Sequence, residues 1–342
     1  IGGFPASLKL YIESDLQVFK EFNITPIFVF SGNDIVDQYE YKNAKEPTPL
    51  DKQRNKAWNS YQAYTTQNQQ SILPLFPTET FRELFTALSA DPISKDLVTY
   101  FIESEIEYMI APYLSWVQLS YLYEHDYIDA IYGPTETLLL PKVDKFILGM
   151  EFAGREFRFV DRKRVLNDFR ISQQQLLDIA VSVGCDLQPT TLPIYNGYSP
   201  GQLFDVGLDI INNGGNIYAN ILSLNNEDIT GKFQRGVLAL RFLPVLKLNG
   251  RVELNNYNEA DPDPNPDTQP PSDIHDIIGQ RLPHEYYFYE SIGLINPKIL
   301  ESIVYGTYVE TRPLTGETTL QYKKLANAVI GTFKNKEINL LT

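Results

Sequence analysis

The sequence contains very little cysteine and histidine, with one Cys and three His among its 342 residues. A lone thiol, Cys185, excludes an internal disulfide framework, and so few Cys and His side chains exclude a zinc cluster. No nucleophile, base and orienting acid can be paired from their spacing. A reducing compartment is therefore favoured, and no catalytic triad is indicated.

The sequence also lacks long hydrophobic runs and an excess of positive charge. No run approaches the roughly 18 apolar residues that span a bilayer, and no signal-peptide pattern is present, so we expect a soluble, intracellular protein with no membrane partner. Its 29 Lys and Arg against 43 Asp and Glu give a net charge of −14, which repels polyanions. The absence of a Gly-rich phosphate loop predicts no nucleotide cofactor, and no other cofactor is indicated.

The pattern that is present is that of a globular α/β protein. Hydrophobic residues make up 43% of the chain and charged residues 21%. In its first part, helical periodicity alternates with short apolar strands, which predicts a central, mostly parallel sheet flanked by helices. The strand at 24–30 ends at Ser31-Gly32, the end of a strand at which such sheets place ligands.

Four sequence blocks, in this order, resemble the signature of the flap-endonuclease/XPG family, whose catalytic domain is PIN-like. They are ITPIFVFSG at 24–32, APYLSWVQ at 111–118, GPTETL at 133–138 and VGCDL at 183–187. In that family the blocks supply carboxylates that hold two divalent cations. The resemblance covers roughly residues 1–215 and implies a PIN-like α/β domain.

The resemblance also implies that most of the metal ligands are lost. The positions matching them are Ser31, Leu114, Trp116, Thr135 and Thr137. The acid survives only at Asp186, which is a vestigial ligand position. Two dications cannot be held by one carboxylate, so we expect a pseudo-nuclease with no catalytic or metal-binding residues.

A second resemblance, to the maintenance-of-killer-toxin family, extends over nearly the whole chain. It rests on IGGFPASL at 1–8, AIYGPT at 130–135, FILGMEF at 146–152, HEYYFY at 284–289 and FKNKEINLLT at 333–342. It implies a cytoplasmic fungal regulator of mRNA translation or stability, associated with polysomes or mRNP granules. It further implies an ataxin-2-like partner and, through that partner, indirect contact with complexes of poly(A)-binding protein and mRNA.

The domain organisation follows from composition and from these resemblances. We expect the degenerate PIN-like domain at 1–232, a connecting helix and strand at 233–254, and a flexible, acidic, Pro-rich linker at 255–272. A small helical region at 273–342 then continues into a C-terminal domain beyond this chain. The opening without Met suggests a fragment, and the oligomeric state is not indicated.

Two surfaces are candidates for binding. An exposed apolar groove around Leu114 and Trp116 is predicted as the partner docking site. The one dense basic stretch could contact RNA or an acidic partner, although a solvated face paired with nearby acids is the favoured explanation. Its members are Arg155, Arg158, Arg162, Lys163 and Arg164.

The sequence leaves two alternative functions open. One is an active Mg²⁺-dependent, structure-specific nuclease that uses Asp186, Glu136 and residues before Ile1. The other is a protein that binds single-stranded RNA directly through the basic stretch. Loss of the carboxylates argues against the first, and net charge argues against the second.

Overall fold

The computed structural model describes residues 6–43, 90–152, 154–255, 270–308 and 320–341, and within them helices predominate. The helices up to residue 242 are α1 (Ala6–Glu21), α2 (Val36–Lys42), α3 (Ala90–Glu103), α4 (Ser115–Glu124), α5 (Arg162–Phe169), α6 (Gln173–Val183), α7 (Leu203–Asn212), α8 (Ile217–Ser223) and α9 (Glu227–Phe242). Those that follow are α10 (His275–Ile278), α11 (His284–Ser291), α12 (Pro297–Tyr305), α13 (Leu320–Val329) and α14 (Asn335–Leu341). None of these described helices is long and apolar enough to cross a membrane.

The strands are short and pair two by two. They are β1 (Phe28–Phe30), β2 (Tyr108–Ile110), β3 (Lys145–Glu151), β4 (Glu156–Asp161), β5 (Pro244–Leu246) and β6 (Val252–Leu254). Strands β1 and β2 are parallel, whereas β3–β4 and β5–β6 are antiparallel. Tyr132 makes a single parallel bridge to Ile147. The α/β class, with a mainly helical region at the end, is confirmed.

Local sequence signals explain where several elements begin. Ser172 and Gln175 have the spacing of a capping box, and in front of α6 each side chain satisfies the other residue's backbone N–H. Periodicity alone does not distinguish helix from strand at 236–242, and these residues form the end of α9. Strand β5 was not predicted; it begins at Pro244, a residue that is tolerated at the first position of a strand.

The main hydrophobic core joins helices and strands from distant parts of the chain. Among its largest buried side chains are Trp116, Ile131, Phe146, Ile179 and Leu187. The same core contains Phe233 and Leu240 from α9, and Ile277 and Ile278 from α10. The first turn of the C-terminal helical region is therefore part of the main core.

This core corrects the predicted boundary at 232/233, which falls inside the continuous helix α9. Phe233 and Leu240 are buried in the same cluster as the preceding elements, so α9 belongs to the first domain and is not a connection. The predicted linker at 255–272 lies largely outside the described residues, since 256–269 are not described. That part of the domain organisation stays a prediction.

Tyrosine side chains connect the C-terminal helices to the α/β domain. The Tyr113 hydroxyl donates to the Ile278 carbonyl oxygen at 2.7 Å. The Tyr108 hydroxyl donates to the carbonyl oxygen of Ser291 at 2.6 Å. Tyr39 on α2 stacks on Tyr305 with ring centroids 4.0 Å apart. These contacts combine apolar burial with a satisfied hydroxyl, which is why Tyr suits the junction.

Helix α11 carries a buried acid close to this junction. Glu290 is only 3% exposed, and burial, together with the nearby Glu301, raises its pKa to about 8 from an ordinary value of 4.5. The folded state therefore binds the Glu290 proton more tightly than the unfolded chain does. Its contribution to stability is fully present below pH 4.5 and is lost as the pH rises through 8.

We predict that Glu290→Gln makes the stability of the chain less dependent on pH. Since one proton is involved, the slopes of unfolding free energy against pH should differ by up to about 1.4 kcal/mol per pH unit between the two pKa values. Urea denaturation at pH 5, 6, 7 and 8 measures this. The exposed Glu285→Gln on the same helix is the matched control. Parallel curves for wild type and Glu290→Gln would contradict the prediction.

Candidate functional site

The candidate site lies at the end of β1, where Ser31 occupies the first of the matched metal-ligand positions. The Ser31 hydroxyl oxygen accepts the backbone N–H of Ser115 at 3.0 Å and donates to the Ser115 hydroxyl at 3.1 Å. Ser115 is the first residue of α4, and Leu114 before it provides no side-chain cap. Ser31 therefore satisfies one of the free N–H groups at the start of α4.

The approach of β1 to α4 also requires a glycine. A Cβ on Gly32 would overlap the carbonyl oxygen of Ala111 at the end of β2. The backbone N–H of Gly32 donates to the carbonyl oxygen of Tyr113 at 2.8 Å, and that of Asn33 donates to Pro112 at 3.0 Å. The ends of the two parallel strands are thus held close together, as the predicted ligand edge requires.

Trp116 and Asp186 meet at the centre of the site. The indole Nε1–H of Trp116 donates to Oδ2 of Asp186 at 3.2 Å, connecting α4 to the turn after α6. Trp116 is 1% exposed. The positive end of the N–H dipole therefore points at Asp186, the one carboxylate among the matched positions.

The two remaining matched positions carry Thr135 and Thr137, and neither hydroxyl group forms a hydrogen bond to Asp186. Thr135 donates its hydroxyl to Oε2 of the neighbouring Glu136 at 3.2 Å and is exposed to solvent. Thr137 is fully buried, and its Oγ1 has no hydrogen-bond partner among the described residues. No group of three or more His, Cys, Asp or Glu residues in the described part of the chain could hold a metal ion. The described residues around Asp186 do not fit a pair of divalent cations.

The predicted docking groove around Leu114 and Trp116 is wrong. Leu114 is 6% exposed and Trp116 is 1% exposed, and both belong to the main hydrophobic core. Leu114 and Trp116 stay in the core because burial removes their apolar surface from water. They leave no apolar surface there for a partner.

Cys185 lies beside the surviving acid, in the turn 185–188. Its backbone exchanges hydrogen bonds with Gln188 at 2.8 and 3.0 Å. Burial, and to a smaller extent the charges of Asp186 and Glu136, raises the pKa of the thiol to about 11. The thiol is thus protonated at neutral pH and unsuited to nucleophilic attack.

The basic stretch is largely engaged within the chain. Arg162, 8% exposed, donates to Val143, Asp144 and Gln173, so it cannot make the predicted surface contact. Three exposed members form ion pairs: Arg155 with Glu21 at 3.5 Å, Lys163 with Asp144 at 2.6 Å, and Arg164 with Asp168 at 3.6 Å. Arg158 is exposed and forms no ion pair with any carboxylate that the structure describes.

An ion pair near the site was not anticipated from sequence. Arg235 on α9 donates to both oxygens of Asp37 on α2, with a shortest distance of 2.7 Å, and Asp37 is 9% exposed. These residues are 198 positions apart. Their amino-acid types alone give no signal that they meet, because charged residues are common on the outer faces of helices.

Comparison with known proteins identifies the family. A family model described as "temperature dependent protein affecting M2 dsRNA replication" matches residues 271–342. A curated protein of Saccharomyces cerevisiae, named post-transcriptional regulator MKT1, is 41% identical; the match covers 100% of this chain and 51% of that protein. The chain belongs to the maintenance-of-killer-toxin (MKT1) family.

The family extends to more distant fungi. A post-transcriptional regulator MKT1 from Cryptococcus neoformans is 28% identical over 96% of this chain and 42% of its own length. The chain thus spans about half the length of the curated relatives it matches. Among solved structures, the flap endonuclease-1 of Methanococcus jannaschii is 18% identical, with a TM-score of 0.37 over 63% of this chain and 62% of that one. Because this TM-score is low, the structural match supports no conclusion about activity.

We predict that Trp116 and Asp186 are energetically coupled. Trp116→Phe removes the indole donor while keeping an aromatic ring, so it should lower the unfolding free energy by about 1–3 kcal/mol. In a double-mutant cycle with Asp186→Ala, measured by urea denaturation, the coupling energy should be about 1–2 kcal/mol.

Asp186→Asn serves as the control in this cycle, because its amide oxygen can still accept the indole N–H. It should lose less stability than Asp186→Ala. Additive effects of Trp116→Phe and Asp186→Ala would show that the hydrogen bond does not stabilise the fold.

Proposed function

We propose that this chain is a binding scaffold in the post-transcriptional regulation of mRNA, built on a nuclease-like site that no longer cuts nucleic acid. The observation that carries the proposal is the hydrogen bond from Trp116 to Asp186. It uses the one surviving acid of the matched ligand set for a structural contact. The other matched positions are hydroxyl or apolar side chains.

Electrostatics supports the loss of cleavage. Two-metal phosphodiester cleavage requires several carboxylates to hold two dications about 4 Å apart, and hard cations favour oxygen ligands. Asp186 supplies only one carboxylate, and its Oδ2 already accepts a hydrogen bond from the Trp116 indole. Glu136, whose charge acts on the Cys185 thiol as that of Asp186 does, accepts a hydrogen bond from Thr135. The competing proposal of an active nuclease would need further carboxylates in this place.

The regulatory role is supported by family membership. The relatives from Saccharomyces cerevisiae and Cryptococcus neoformans are both named post-transcriptional regulators. We extend to this chain the partner that the family resemblance implies, an ataxin-2-like protein, and through it an indirect association with complexes of poly(A)-binding protein and mRNA. The corresponding location is the cytoplasm, with polysomes or mRNP granules.

Direct binding of single-stranded RNA has less support than scaffolding. Of the five basic residues proposed for it, Arg162 is buried, and three others pair with carboxylates of the chain. An RNA strand would have to displace these acids, and the net charge of −14 opposes its approach.

A cleavage assay tests the loss of catalysis. The purified chain is incubated with labelled flap DNA, single-stranded DNA and single-stranded RNA in Mg²⁺ and in Mn²⁺, beside Asp186→Ala. We expect no cleavage above that of the variant. Cleavage by the wild type that disappears in Asp186→Ala would make the protein a metal-dependent nuclease and overturn the proposal.

A binding assay tests the scaffold role separately. The tagged chain is used to capture a purified ataxin-2-like protein, with and without ribonuclease treatment. Scaffolding by protein–protein contact predicts capture that resists ribonuclease. Capture that is lost on ribonuclease treatment would indicate that RNA connects the two proteins. Absence of capture would contradict the partner assignment.

A further inference from the structure

The β3–β4 hairpin has one face in the core and one in solvent. Phe146 on β3 is 2% exposed, and Val160, its partner on β4, packs against the main core. Phe157 and Phe159 alternate with these positions and point outward, 62% and 56% exposed. Their cross-strand partners are Met150 and Ile147, only partly buried.

This solvent face is unusually apolar for a surface. Tyr132, the bridge partner of Ile147, is 53% exposed and extends the face to a third segment. Lys145 and Asp161, paired across the base of the hairpin at 3.9 Å, are its charged members among the described residues. We call Tyr132, Ile147, Met150, Phe157 and Phe159 the aromatic face. Contiguous exposed apolar patches usually mark interaction sites.

Strand β4 is also an open edge. It pairs with β3 on one side, and on its other side no strand pairs with it in the described part of the chain. Residues 156–159 are all exposed. An unpaired edge offers backbone N–H and C=O groups to another strand, and native proteins normally cover or charge such an edge.

The charges along β4 indicate what covers it. Glu156 and Arg158 flank Phe157, are exposed, and form no ion pairs within the described chain. Glu156 lies opposite Glu151 on β3, an arrangement of like charges that is unfavourable. A cation supplied from outside would relieve it, and the free Arg158 of a second copy is such a cation.

We infer that two copies of this chain pair through their β4 edges, antiparallel about a two-fold axis at Phe157. In this register Glu156 of each copy lies opposite Arg158 of the other, so two complementary ion pairs form. Phe157 faces its own equivalent, and Phe159 faces Arg155 of the other copy. The same patch serves both copies, as a two-fold interface requires.

The pairing requires only a small movement of the Arg158 side chain. The Arg158 guanidinium lies over Gly149, where an added Cβ would be 3.1 Å from it, and the flexible arginine chain can turn to the outer edge. The joined sheets would bring the two aromatic faces side by side. This removes apolar surface from water and adds cross-strand aromatic contacts.

Exchanging charges tests the register directly. Sedimentation velocity over a wide concentration range measures the association of the wild-type chain, Glu156→Arg and Arg158→Glu. We expect the wild type to dimerise and each single variant to weaken the dimer at least tenfold. The reason is that each variant places two like-charged pairs across the axis.

Mixing the two variants gives the decisive result. One copy of Glu156→Arg with one of Arg158→Glu restores both opposite-charge pairs, so the mixture should form a heterodimer as tight as the wild-type dimer. Arg164→Glu, which changes an exposed residue on α5 away from the edge, is the matched control and should leave dimerisation intact. Thermal unfolding monitored for every variant excludes misfolding as the cause.

Three outcomes would overturn the inference. They are a wild type that remains a monomer at all concentrations, a dimer insensitive to both single variants, and a mixture that does not associate. If the wild type is monomeric yet binds single-stranded RNA with loss on Phe157→Ser, the aromatic face is a base-stacking surface instead.

Discussion

The hydrogen bond between Trp116 and Asp186 holds together the part of the molecule where a nuclease would keep its metal ions. It connects α4, which begins beside β1, to the turn that closes α6. A half-buried carboxylate without a cation needs proton donors, because leaving it unsatisfied is costly. The indole N–H provides one, and its ring fills core volume at the same time.

The side chains at the neighbouring matched positions are consistent with this arrangement. Ser31 caps α4, and Leu114 lies in the core. A site that binds two dications must keep several like-charged carboxylates close together in the absence of metal. The cap, the core side chains and the hydroxyl groups found at these positions avoid that repulsion and stabilise the region.

Much of the fold could be predicted from the sequence, because its signals are local. The capping box at Ser172, the paired strands β3 and β4 and the helix α7 all depend on short-range spacing that is visible in the sequence. The domain boundary at 232/233 was wrong because the polar, glycine-containing start of α9 resembles a connection. Only the packing of Phe233 and Leu240 reveals that α9 is continuous with the core.

The candidate site was predicted in part. The residue types at the ligand positions could be read from the sequence, and Asp186 does lie next to Trp116. Their exposure could not be read, because an apolar residue at a former ligand position can either line a groove or enter the core. Likewise, Arg162 resembled its exposed neighbours in sequence but is buried against Asp144 and Gln173. Such distinctions depend on tertiary contacts that have no short-range signature.

The reactivity of the single cysteine, Cys185, can be used to detect local opening of the site. Cys185 is adjacent to Asp186, and its raised pKa leaves very little thiolate at neutral pH while the site is intact. Any opening that separates the end of α6 from α4 would expose the partly buried thiol further to water and return its pKa towards that of a free cysteine. The rate at which a thiol reagent modifies the native protein therefore measures how often this region opens.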